Sequence, residues 1–239
     1  MRIIPVLDLL DGIVVHAYKG EREKYKPLKS KLISSSDPLD FIETFYKDFK
    51  FKEFYIADLN SIMKKGNNLE IIKRILEKYD VNILLDAGID DLEKAKDIIK
   101  LGVKAVVGSE TLKSLTSLRE ILNYSKDIVF SLDIMENSVL SKSELKGLKI
   151  KEALSILNSF EFKEIIVLYL SKVGTKEGIK IEEVREIRSL TNKKVIVGGG
   201  IKDLKEILDL KSIGINGVLI ATILHEGKIR REDLPSLIP

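Results

Sequence analysis

Short apolar runs rich in β-branched residues alternate along the chain with longer amphipathic stretches, and the alternation occurs eight times. The apolar runs predict strands at Ile3 to Leu7, Glu53 to Ala57, Asn82 to Leu85, Ala105 to Val107, Ile128 to Leu132, Glu164 to Leu168, Lys194 to Val197 and Gly217 to Ile220. Helical periodicity predicts helices over Pro38 to Asp48, Asn68 to Tyr79, Asp90 to Lys100, Leu112 to Tyr124, Ile150 to Phe160, Ile181 to Leu190 and Lys202 to Leu210, with a short turn at Ile223 to Glu226. Strands that are apolar on both faces and are each followed by a crossover belong in a parallel sheet covered by helices.

The eight units divide into two sets of four. Residues 85–112, LDAGIDDLEKAKDIIKLGVKAVVGSETL, run parallel to residues 197–224, VGGGIKDLKEILDLKSIGINGVLIATIL. The pairing sets Gly88 on Gly200, Ile89 on Ile201, Asp91 on Asp203 and Gly102 on Gly214. RIIPVLDLLDG at 2–12 likewise matches DIVFSLDIMEN at 127–137, placing Asp8 on Asp133, and KEFYIADLNS at 52–61 matches KEIIVLYLSK at 163–172. A repeat of this kind fixes the architecture. The expected fold is α/β: a single (β/α)8 TIM barrel with twofold internal duplication over residues 1–239, its half-barrels at about 1–125 and 126–239. An open doubly wound sheet is the structural alternative, and it does not account for eight units.

The connection from Tyr18 to Ser36 is polar, lysine-rich and without periodicity. A loop of that length in a compact barrel is a lid or binding loop, or is disordered. No low-complexity stretch divides the chain.

Composition narrows the chemistry. With 239 residues, 44% of them hydrophobic, the chain can bury one large core, and no apolar run approaches the roughly 20 residues that span a bilayer. The N-terminus lacks a signal-peptide pattern, so a cytoplasmic protein is expected. Absence of cysteine excludes disulfides, thiol nucleophiles and thiolate metal sites, and two histidines make a histidine metal centre an unfavoured reading. No metal and no cofactor is therefore expected. Forty Lys and Arg against 37 Asp and Glu give a net charge of +3, a solvated mixed surface that suits anionic substrates and is not a nucleic-acid footprint. The expected partner is a phosphorylated small molecule, with neither nucleic acid nor membrane; a monomer is compatible with the sequence, which does not define the oligomeric state.

Barrel active sites lie at the C-terminal ends of the strands. Asp8 ends strand one and Asp133 ends strand five, on opposite sides of an eightfold ring. Facing carboxylates can divide general acid and general base between them. The plainer alternative is that each caps a loop, as Asp11 and Glu136 are expected to do. Glycines end strands three, four, six and seven at Gly88, Gly108, Gly174 and Gly198 to Gly200. Side-chain-free turns let backbone amides approach an oxyanion closely. Strands seven and eight of barrels frequently build a phosphate site, which here would use Gly174, Gly199, Gly200, Ala221 and Thr222. The paired station after strands three and four would use Gly88, Gly108 and Ser109, so that the substrate would carry a phosphate at each end. Ser109 and Thr222 are hydroxyl donors or helix caps. Lys19, Arg22 and Lys24 either clamp an anion or form a solvated charge run. His16 and His225 read first as packing or surface residues, and Tyr169 as a residue of the outer wall or rim.

These motifs together, RIIPVLDLLDGIVVHAYKGE with ADLNS, DAGI, VVGSETL, SLD, SKVGT, VGGGI and LIATILHEGK, resemble the phosphoribosylformimino-aminoimidazole carboxamide ribotide isomerase of histidine biosynthesis over essentially the whole chain. The imidazole glycerol phosphate synthase cyclase subunit is its sister, but its lysine after strand one is replaced by Leu9 and Leu10. The resemblance implies a metal-free Amadori rearrangement of a bisphosphorylated aminoaldose, with Asp8 and Asp133 as acid and base. Asp8 as base is the usual view for the family, while the sequence leaves the assignment open. Candidate substrate contacts are His16, Lys19, Asp58, Asp86, Leu168 and Thr175. The C-terminal phosphate site is better kept than the N-terminal one, and departures from the family occur on four strands. The strand-six threonine is Leu168, the strand-three G-G-G-I is Asp86, Ala87, Gly88, Ile89, the strand-one arginine is His16, and the strand-eight G-R is Ala221, Thr222. Asp86 sets a negative charge beside an expected phosphate cradle. Three readings follow: the family's isomerase, a paralogue acting on a different substrate in another pathway, a singly phosphorylated one among the options, and a non-catalytic barrel binding a phosphometabolite or a partner protein.

Overall fold

The eight apolar runs form eight parallel strands: β1 (Arg2–Leu10), β2 (Glu53–Asp58), β3 (Asn82–Asp86), β4 (Lys104–Gly108), β5 (Val129–Met135), β6 (Glu164–Tyr169), β7 (Lys194–Gly198) and β8 (Gly217–Ile220). Each pairs with the next, and β8 returns to β1 with Ile3 opposite Val218 and Ile4 opposite Leu219, closing a (β/α)8 barrel. The structure is a computed structural model that describes residues 1–237; residues 238 and 239, the last two of the expected barrel, lie outside the described residues. The crossovers carry α1 (Pro38–Lys47), α2 (Leu69–Lys78), α3 (Leu92–Ile99), α4 (Leu115–Tyr124), α5 (Ile150–Leu157), α6 (Ile181–Ser189), α7 (Leu204–Ser212) and the one-turn α8 (Thr222–His225).

Period-two alternation sorts every strand residue to the barrel interior or to the helices. One residue from each strand fills the middle of the barrel: Ile4, Tyr55, Leu84, Val106, Val129, Ile166, Ile196 and Leu219. Two positions earlier in the strands, Arg2, Glu53, Lys104 and Glu164 form an ion-pair ring at the N-terminal end, with Arg2 bonded to Glu53 at 3.1 Å and to Glu164 at 3.0 Å. Four positions after Ile4 the same parity delivers Asp8 to the opposite end. Residues of the other parity, Leu7, Phe54, Ile56, Leu85 and Phe130 among them, pack against helix positions spaced three and four apart, such as Phe41 and Phe45 of α1, Ile72 and Ile75 of α2 and Leu118, Ile121 and Leu122 of α4.

Several helices start later than periodicity alone predicts, because a side chain caps them. Asp91 accepts from the Lys94 amide ahead of α3, Ser114 from Ser117 ahead of α4 and Asp203 from Glu206 ahead of α7. Strands β1 and β5 run longer than expected for one shared reason. Each continues into a two-residue turn and a short antiparallel return, Leu10 pairing with Ile13 and Met135 with Ser138. Asp11 (φ 49°) and Glu136 (φ 56°), paired in sequence, both occupy the left-handed first position of that turn.

The Tyr18 to Ser36 connection is ordered. A short turn at Arg22–Lys24 leads to Lys26–Pro27, which pair with His16 and Val15, while Leu28 and Ile33 are buried and Lys31 donates to the His225 carbonyl. Among the described residues no helix is long and apolar enough to cross a membrane.

Asp58, expected at the substrate, belongs to the frame. It lies one residue past the inward-facing Ala57, and its carboxylate accepts from the Asn68 amide at 2.8 Å, the Asn68 side chain at 2.7 Å and the Ser61 amide at 3.2 Å. Truncating Asp58 to Ala strands these buried donors, so urea unfolding is expected to show a loss of about 2–4 kcal/mol. A loss below about 1 kcal/mol would contradict this role.

Candidate active site

The cavity at the C-terminal end of the barrel is walled by the next inward layer of strand residues and by the loops that follow them. Asp8 (β1), Ala57 (β2), Asp86 (β3), Asp133 (β5), Leu168 (β6) and Ala221 after β8 all line it. Strands β1 and β5 are four steps apart either way around the ring, so Asp8 and Asp133 enter from opposite sides. From the first loop Arg22 and Tyr25 reach in, and Arg22 bonds Glu110 of the β4–α4 loop at 2.6 Å across the opening.

Three aspartate carboxyls share this enclosed space with one guanidinium, which is taken by a fourth carboxyl on the wall, Glu110. Burial pushes the Asp8 carboxyl up to about 7, with Asp86 adding and Arg22 opposing. Burial also raises Asp133 to about 7, reinforced by Asp86 and resisted by the hydrogen bonds it receives. Asp86 rises to about 6 through burial, held back by its bond from the Gly88 amide. The three groups differ in their partners. Asp133 accepts from the Ser131 hydroxyl at 2.7 Å, the Glu110 amide at 3.0 Å and the Ser109 hydroxyl at 3.3 Å. Asp86 accepts from the Tyr55 hydroxyl at 3.1 Å and the Gly88 amide at 3.0 Å. Among the described residues nothing donates to the Asp8 carboxylate, which opens on the cavity. Also among them, no three His, Asp or Glu side chains converge closely enough to hold a metal ion.

The two glycine stations differ. On the β6 to β8 side Gly174, Gly199, Gly200, Ala221 and Thr222 all line the cavity, and among the described residues the amides of Gly199, Gly200 and Thr222 meet no acceptor of the chain. Gly199 needs its missing side chain: at φ 97° a Cβ would stand 2.3 Å from the Tyr169 carbonyl oxygen. On the β3 to β4 side Gly88, Gly108 and Ser109 are off the cavity wall. A Cβ on Gly88 would lie 2.7 Å from Ile62 Cα, because the one-turn helix Leu59–Ile62 covers that station. Ser109 is buried and gives its hydroxyl to Asp133 and to the Leu140 carbonyl, so it does not present a donor to a ligand.

Of the remaining expected contacts, Asp86 and Leu168 are on the wall. Thr175 instead donates its hydroxyl to the Lys172 carbonyl at 2.8 Å, closing its own loop. Lys19 pairs with Glu177 at 3.6 Å and Lys24 with Glu21, so of the three first-loop cations only Arg22 reaches the cavity. His16 lines a neighbouring surface hollow with Lys26, Glu226 and His225. His225 is buried between Phe41 and Phe45 at 5.4 and 5.5 Å, and burial pushes it down to about 4, as befits a packing residue. Tyr169 packs outside the barrel and donates to Glu183. Sequence reasoning missed Tyr25, Tyr55, Glu110 and Lys176. Tyr55 carried a usable signal, since it stands two residues before the inward Ala57; the others depend on how the loops fold.

A family model described as "Histidine biosynthesis protein" matches residues 2–230. An uncharacterized protein of Methanocaldococcus jannaschii is 38% identical, covering 98% of this chain and 97% of its own. The same organism has a 1-(5-phosphoribosyl)-5-((5-phosphoribosylamino)methylideneamino) imidazole-4-carboxamide isomerase that is 30% identical over 96% of this chain and 95% of its own. The Nitrosopumilus maritimus protein of that name is 28% identical over the full length of both.

Proposed function

The chain belongs to the histidine biosynthesis protein family, and from that premise we propose that it is an aldose–ketose isomerase working by an Amadori rearrangement on a phosphorylated aminoaldose. The reading is carried by one observation: two carboxyls tuned to about 7 face each other across a cavity whose β6 to β8 wall offers unengaged backbone amides. Those amides suit a phosphate. The carboxyls suit the proton traffic. One, protonated, donates to the furanose ring oxygen as the C1–O bond breaks, leaving a Schiff base. The other, ionised, takes the proton from C2, and the electron pair moves to give the enolamine, which tautomerises to the aminoketose. Three donors favour the ionised form of Asp133, whereas Asp8 receives none. Both groups rise to about 7 with those bonds already in place, so the pair shares the proton and either aspartate can serve as the acid.

A second reading is favoured by a specific finding. Methanocaldococcus jannaschii holds both an isomerase of the family and a separate uncharacterized relative, and the latter is the more similar to this chain. A paralogue with the same acid–base pair and another substrate fits that pattern. An absorbance assay of the purified protein with the histidine-pathway ribotide separates the two. Turnover supports the isomerase of that pathway; no turnover, with phosphate still raising the melting temperature, moves the substrate elsewhere.

A further inference from the structure

Resting on the reading that this cavity is the active site, we propose that the substrate carries a single phosphate and that Asp86 is the residue that enforces it, so that the end lying towards β3 and β4 bears no negative charge. The chain already holds its own anions where a second phosphate would be cradled. The Gly88 amide donates to Asp86 Oδ1 at 3.0 Å, and the Glu110 amide donates to Asp133 Oδ2 at 3.0 Å. Both carboxylates converge: a point beside Gly108, where its Cβ would sit, lies 3.2 Å from Asp133 Oδ2 and 3.7 Å from Asp86 Oδ2. Ile62 closes the approach to Gly88 from the other side. A phosphate dianion placed there would lose these amide donors and face two carboxylates at close range in a poorly solvated space. On that side Arg22 is committed to Glu110, Lys94 donates to the Ser61 carbonyl, and Lys64 and Lys113 pair with Asp90.

The opposite wall provides the contrast. Gly199, Gly200 and Thr222 expose their amides, and none of the three acids stands beside them in the hydrogen-bond network. The cavity is thus polarised, with anion donors at one end and carboxylates at the other. A substrate long enough to bridge it presents phosphate to β7 and β8 and an uncharged or cationic group to β3 and β4.

Calorimetric titration of the full chain with inorganic phosphate is expected to give one site per chain. A matched pair of sugars, ribose 5-phosphate and ribose 1,5-bisphosphate, is expected to bind with the monophosphate at least tenfold tighter. Asp86→Asn keeps the size and the Tyr55 contact while removing the charge, and it should narrow that preference at least fivefold. Two phosphates per chain in the wild type, a bisphosphate that binds as tightly as the monophosphate, or an unchanged ratio in a folded Asp86→Asn would each overturn the proposal. The wild-type stoichiometry decides the matter even if the variant fails to fold. Failure of the isomerase reading looks different: no turnover of any aminoaldose phosphate, with the phosphate stoichiometry still one.

Discussion

Asp8→Asn should lower kcat on the proposed aminoaldose phosphate by about 10²–10⁴-fold, the range associated with loss of one positioned acid or base. Its melting temperature should not fall, because Asp8 receives no hydrogen bond whose loss would strand a donor. Asp133→Asn should cost a comparable factor, and the double variant little more than either, since the two carboxyls act as one unit. The pH profile carries the same logic. Both groups are raised to about 7, and the proposed reaction needs one protonated and one ionised. The pair therefore titrates in two macroscopic steps around neutrality, and kcat/KM should trace a narrow bell centred near pH 7. Either aspartate variant should lose the bell along with the rate. An Asp8→Asn enzyme within threefold of wild type, or a flat profile between about pH 5 and 9, would remove Asp8 from the chemistry.

The barrel was legible because its signal is periodic. Eight strands fall where the apolar runs predict them, and their inward parity follows from counting in twos from Ile4, Tyr55 or Leu84. The same count identifies Asp8, Asp86, Asp133 and Leu168 as mouth residues before any coordinate is known, and it would have removed Asp58, which is one step out of phase with Ala57. What the sequence hid lies in the loops. Gly88 and Gly200 are equivalent by pairing and both have positive φ, 65° and 80°. Only the packing of Ile62 over Gly88, and the capture of its amide by Asp86, separates a closed station from an open one. Likewise Arg22 was one cation in a charged run, and nothing local distinguished it from Lys19 or Lys24 until the loop set its guanidinium against Glu110, which is distant in sequence.

Stability should fall as pH rises from about 4 to 7, opposite to the trend in proteins whose carboxylates are stabilised by ion pairs. In the unfolded chain each aspartate ionises near its ordinary value of about 3.9. In the fold Asp8 and Asp133 hold their protons to about 7 and Asp86 to about 6. The native state therefore binds more protons over that interval, and each unit of pH costs about 1.4 kcal/mol per fully shielded group. Asp8 opens on the cavity and is shielded less than fully, so its own share is about 2–3 kcal/mol rather than the full product. Urea midpoints of the wild type should decline across the window and level off above it. Asp8→Asn, neutral at every pH, should match the wild type near pH 4 and exceed its stability at pH 8 by that share. The gain should come with the loss of turnover, because in the proposed reaction the energy that lifts this carboxyl to neutrality is what suits it to proton transfer. Parallel stability curves for the two proteins would show that Asp8 is solvated in the native state, and they would take the electrostatic basis of the acid–base pair with them.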